Sequence, residues 1–227
     1  MSALLLLLLA ASPAAPLNTE GFKLYQAGKY GEAIEKFRAA IAADETHALA
    51  HYNLAATLAL MRTRGKVCEF DAYQSAVLEH LERAVQLDER RRRRMQVDRD
   101  LDSIRDTLRY QQLLGRRADR PQDAKALLVA LSWYTPAVGA YGNPETLRFG
   151  ADGRFTLSRL VMGEQDDAPK RVTLKGRWKL EGVEVTLAFD KPLDGATQAR
   201  GKLTPEGRLE FGAPAWTFTD ARAECDA

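Results

Sequence analysis

Three histidines, two cysteines and one run of carboxylates are the side chains of this 227-residue chain with the most obvious capacity for chemistry. His47 and His51 stand four apart, a spacing that places two imidazoles on one helical face where they could hold a metal ion. No glutamate lies between them, however, and no third ligand nearby completes a zinc site, so the pair is expected to open a helix and no metal is expected. His80 has no ligand-spaced partner of its own. Cys68 has no base that the sequence can name beside it, and a cysteine so placed is not a nucleophile by default. Glu164-Gln165-Asp166-Asp167 reads as a loop between two strands. Gly-x-Ser-x-Gly elbows, phosphate loops and dinucleotide fingerprints are all missing from the sequence. The chain is therefore read as non-enzymatic and free of cofactors.

The elements that could position side chains begin after an unusual N-terminus. Leu4 to Leu9 are six consecutive leucines, followed by Ser12-Pro13-Ala14-Ala15-Pro16. That order predicts a signal peptide over residues 1–14, cut after Ala14, and export to a periplasmic or extracellular space. The apolar run is shorter than the ~20 residues that span a bilayer, so no membrane span is expected once it is removed. An exported chain with two thiols can join them, which makes Cys68 and Cys225 a possible disulfide; two separate thiols fit the sequence equally. A net charge of +2 gives no reason to expect nucleic acid as a partner.

From Asn18 to Asp44 two runs of helical spacing, one with Gly21 and Leu24, the other with Ala33, Ile34, Phe37, Ala40 and Ile41, are separated by the turn signal Gly28-Lys29-Tyr30. Gly21 and Ala33 are small where two helices must approach, and Phe37 and Tyr30 fill the space beside them. This stretch resembles a tetratricopeptide repeat, with Gly28 and Tyr30, Ala33 and Ile34, Phe37, and Ala40 and Ile41 on the family pattern. Leu17, Glu20 and Glu45 stand where the family usually has Trp, Leu and Pro. A second repeat starts at Ala48, with Leu54, Ala55 and Leu58 in its first helix and Leu81, Ala84, Val85 and Leu87 in its second. About ten extra residues around Thr63 to Phe70 form an insertion of the kind that maps to a loop. The resemblance implies a peptide-binding groove along the first helix of each repeat, on Asn18, Phe22, Tyr25, Gln26, Leu49, Tyr52, Asn53 and Ala56, with a protein or peptide as partner. A different use of the same aromatics, packing against the β domain read further along so that the groove is filled internally, stays open.

A third helix is expected from about Asp98 to Leu114, with Leu101, Ile104 and Leu108 on one stripe, closing a helical repeat domain over residues 18–115. Arg90 to Arg94 precede it among Asp88, Glu89, Asp98, Asp100 and Asp102, and read as a solvated face. Residues 116–126 read as a linker.

Near Leu127 the side-chain rhythm changes to a period of two. Val172 to Leu180 alternate, turn at Glu181-Gly182, and alternate again from Val183 to Phe189, which predicts a hairpin with one dry face. Leu147 to Leu157, Gly201 to Phe211 and Trp216 to Phe218 fit the same template, and Leu127 to Trp133 reads as a further strand. The fold class expected is α+β in two domains: helical repeats, then an antiparallel barrel or sandwich of about eight strands over residues 127–220, with a tail over 221–227. Gly176-Arg177-Trp178 gives the β domain a resemblance to lipocalin-like small barrels, which implies a second reading, a carrier of a small apolar ligand. The leading expectation is an exported adaptor that holds a protein or peptide in its helical groove. Oligomeric state is not legible.

Overall fold

The computed structural model describes residues 13–136, 145–161, 170–193, 195–221 and 224. The leucine run, the carboxylates Glu164, Asp166 and Asp167, and Cys225 lie outside the described residues. The chain divides between Ser103 and Ile104 into two compact units.

The first unit is helical. Helices α1 (Ala14–Gln26) and α2 (Tyr30–Ala43) form one antiparallel pair, α3 (Ala48–Thr63) and α4 (Gln74–Leu87) a second, and α5 (Arg91–Val97) follows with a 3-10 turn at Arg99–Ile104. Gly28 makes the first reversal at φ +75°, a conformation that side chains rarely adopt. Gly21 permits the α1–α2 approach: a methyl group built on it would stand 2.7 Å from the ring of Phe37, which is fully buried. His47 caps α3, its Nδ1 accepting the amide of Ala50 at 3.1 Å. Ile34, Phe37, Leu54, Leu58, Met61, Leu81 and Met95 are buried, so the stripes read from the sequence do point into a core. The insertion separates α3 from α4 and includes Asp71 at φ +50°.

The single helix expected from Asp98 to Leu114 is not formed. Asp98 ends α5 in an extended conformation (ψ 110°), and its Oδ1 accepts the amide of Asp100 at 3.2 Å. Thr107, also extended, then caps a new helix, α6 (Leu108–Leu113), by accepting the amide of Tyr110 at 3.3 Å. Short polar side chains that bond the local backbone interrupt a helix whatever its apolar stripe. Leu101 stays with the helical unit and Leu108 belongs to the second.

The second unit opens with α6 and α7 (Pro121–Ala130), then β1 (Trp133–Tyr134), β2 (Thr146–Phe149), β3 (Arg154–Val161), β4 (Lys170–Glu181), β5 (Glu184–Leu193), β6 (Ala196–Leu203), β7 (Leu209–Ala213) and β8 (Trp216–Phe218). The strand expected over Leu127 to Trp133 is thus a correction: its first four residues finish a helix begun by Pro121, which presets the φ of a first turn. Half of the stretch read as a linker is that same helix. The sheet is an antiparallel meander in sequence order, and Glu181 pairs with Glu184 across the expected Gly182 turn. Tyr134 and Thr219 exchange two backbone hydrogen bonds of 2.7 and 2.9 Å, which brings the start of the sheet against its end and makes a nearly closed barrel. Its interior is packed with Leu147, Phe155, Leu157, Leu187, Leu209 and Phe218 together with Leu127, Leu128 and Trp133, all at most 1% exposed. Trp133 donates its indole N–H to the carbonyl of Leu128 (3.1 Å), and Trp178 donates to that of Gly150 (3.0 Å), so both polar edges are satisfied.

Candidate functional site

The residues expected to line a groove come together on the helical unit because α1 and α3 are neighbours. Asn53 on α3 donates its amide to Asn18 Oδ1 on α1 at 2.9 Å, and this bond, with Asn18 almost completely buried, fixes the separation of the two helices. Two adjoining concavities lie along them. One, of about 350 Å³, is lined by Asn18, Thr19, Phe22, Leu49, Tyr52, Asn53, Arg91 and Arg94. The other, of about 120 Å³, is lined by Phe22, Tyr25, Phe37, Tyr52, Asn53, Ala56, Thr57, Arg94, Asp98 and Asp100. Seven of the eight expected positions are represented; Gln26 is exposed and belongs to neither.

The side chains differ in what they have left to offer. Tyr52 is 4% exposed and gives its hydroxyl to Asp98 Oδ2 at 2.8 Å, and Tyr25 gives its own to Asp100 Oδ2 at 2.6 Å. Burial, with the neighbouring carboxylates adding to it, holds both phenols protonated far above their ordinary range. Burial also raises the Asp100 carboxyl, against the opposing pull of the Tyr25 hydrogen bond. These tyrosines thus act as struts between the repeat helices and the segment after α4. Phe22 and Leu49 are the freely offered apolar surface, at 44% and 36% exposed. Phe22 stacks on Tyr25 with ring centres 6.0 Å apart and planes 11° from parallel, and Tyr25 meets Tyr30 edge-on at 5.5 Å.

Arg91, Arg94, Asp98 and Asp100 are lining residues that the sequence reading left out. The arginine run does behave as a charged face, with Arg90 and Arg91 on Asp88 (2.8 and 3.0 Å) and Arg92 on Glu89 (3.0 Å). The helix α5 nevertheless turns two of its members toward the concavities, and Arg94 remains 67% exposed beside Asp98 at 3.5 Å. The signal that could have placed them is the i, i+3 spacing of Arg91 and Arg94 on one helical face.

The histidines are placed by packing. His51 is buried, its Nε2–H directed at the carbonyl of Glu45 (3.2 Å), which leaves Nδ1 bare to accept from His80 Nδ1–H at 3.0 Å. Burial lowers the affinity of both rings for a second proton, and His80 is pushed down to about 4. Among the described residues no group of three or more His, Cys, Asp or Glu side chains is arranged to hold a metal. Cys68 carries a disulfide; Cys225, the partner expected for it, lies outside the described residues. Among the same residues no helix is long and apolar enough to cross a membrane.

No curated protein matches this chain. Residues 21–61, from the middle of α1 to near the end of α3, match the family model of the TPR repeat, and the helical unit carries a TPR repeat segment.

Proposed function

We propose that this protein is an exported, non-enzymatic adaptor that holds a protein or peptide segment against the α1–α3 side of its helical unit. One observation carries the reading. Phe22 and Leu49 are exposed apolar side chains standing over a floor held in place by hydrogen bonds, Asn53 to Asn18 and Tyr52 to Asp98. A ligand entering there gains apolar contact without having to order the floor, which lowers the entropic cost of binding. The TPR match over residues 21–61 supports a protein as the partner class, and the leucine run with its small flanking residues supports export.

The test is a selection of displayed peptides on the native chain, followed by titration of the winners against Phe22→Ala/Leu49→Ala. Both positions are exposed, so the variant keeps its circular dichroism spectrum while binding weakens at least about tenfold, given ~1.5–3 kcal/mol for burying each such side chain. Undiminished affinity in the folded variant would remove this surface from the account. Tyr52→Ala is a poorer probe, because it also removes the strut to Asp98. The carrier reading of the β unit has less support, since its interior is occupied by its own leucines and aromatics.

A further inference from the structure

The outward side of the barrel around Thr156 carries charge that folding does not use. Arg148 of β2 lies directly opposite Thr156 of β3, which lies directly opposite Lys175 of β4. Two residues along, Arg154 of β3 faces Arg177 of β4. All five side chains are exposed, and among the described residues none of the four cations forms an ion pair. Like charges directly opposite on neighbouring strands weaken a sheet, so the Arg154–Arg177 pairing opposes stability.

A concavity of about 440 Å³ opens at this place, lined by Arg148, Arg154, Thr156 and Lys175 together with Asp152, two phenylalanines and two glycines. Asp152 is committed to the turn, where its Oδ1 accepts the amide of Arg154 at 3.0 Å. Directly opposed Cβ atoms stand roughly 5 Å apart, so the guanidinium of Arg148 and the ammonium of Lys175 rise from either side of one hydroxyl, close enough to meet on a single tetrahedral anion. A guanidinium fork matches two phosphate oxygens, an ammonium binds a third as a point charge, and a threonine hydroxyl can donate to the same group.

We propose that this concavity binds the phosphate group of a phosphorylated ligand, with Arg148 and Lys175 on its flanks, Thr156 beneath it and Arg154 closing one end. The bound dianion offsets the repulsion that the empty face carries. A soluble phosphorylated molecule and a phospholipid headgroup would present the same group.

Thermal unfolding of the full chain at low ionic strength tests this with pyrophosphate as the probe, against sodium chloride at matched ionic strength. Pyrophosphate is expected to raise the melting temperature by about 3 °C more than chloride, the shift of a ligand at roughly five times its dissociation constant. Arg148→Gln/Lys175→Gln removes the pyrophosphate response without lowering the melting temperature of the ligand-free chain, and Arg177→Thr raises that temperature by itself. Co-sedimentation with phosphatidylcholine vesicles, with and without phosphatidate, separates the sources. Retention only with phosphatidate, lost in the double variant, assigns the headgroup; a response to pyrophosphate alone assigns a soluble ligand. The proposal is overturned if neither probe acts, if chloride does as well as pyrophosphate, or if the double variant responds like the native chain.

Discussion

Tyr52 shows how one residue can belong to a surface and still have no free group to give it. Its hydroxyl is taken by Asp98 and its ring is buried, so Tyr52→Phe should leave the proposed peptide contact unchanged while costing about 1.5 kcal/mol in urea unfolding, the value typical of a strong side-chain hydrogen bond. The His51–His80 pair makes a claim about pH. His80 has a folded-state pKa depressed to about 4 by burial, below the ordinary 6.5, so the unfolded chain binds the extra proton first. The contribution of His80 to stability is present in full well above pH 6.5 and is lost as the pH drops from there toward 4. Melting temperatures measured across that window should decline for the native chain and decline less for His80→Gln, because the variant has no second ring to protonate. An equal decline in both would mean that other groups set the acid limit.

At the scale of elements, the small residues decide which helices meet. Gly21→Ala places a methyl 2.7 Å from the Phe37 ring and should destabilise the chain by about 1–2 kcal/mol, the overpacking cost outweighing the better helix propensity of alanine. A chemical denaturation midpoint that stays put or rises would show that α1 can shift freely on α2. That contact was legible in the sequence, as were the α1–α2 and α3–α4 pairs and the hairpins around Gly153, Gly182 and Gly207, because apolar rhythm and glycine turns are local signals. The stretch from Asp98 to Ala130 was not. Its ending of α5, its Thr107 cap and its Pro121 start are each decided by one side chain bonding or restricting the nearby backbone, against a stripe that reads as continuous helix or strand. That the chosen positions on α1 and α3 lie side by side could be read for the same reason as the helices, whereas Arg91 and Arg94 required knowing which way α5 turns.

At the scale of the whole molecule, a net charge of +2 conceals two different uses of charge: after α4 arginines and carboxylates pair with one another, whereas among the described residues Arg148, Arg154, Lys175 and Arg177 gather on the sheet without an ion pair. The two ends of the barrel are likewise separated in sequence and joined in space. Because Tyr134 and Thr219 hold each other's backbone, strands that would ordinarily fray first are made to open as one event. Hydrogen exchange at these two amides should accordingly be slow and matched. Shortening the chain before Trp216 should release not only Phe211, its partner on β7, but also Tyr134, more than eighty residues earlier, so that a loss at the exit of the sheet is registered at its entrance.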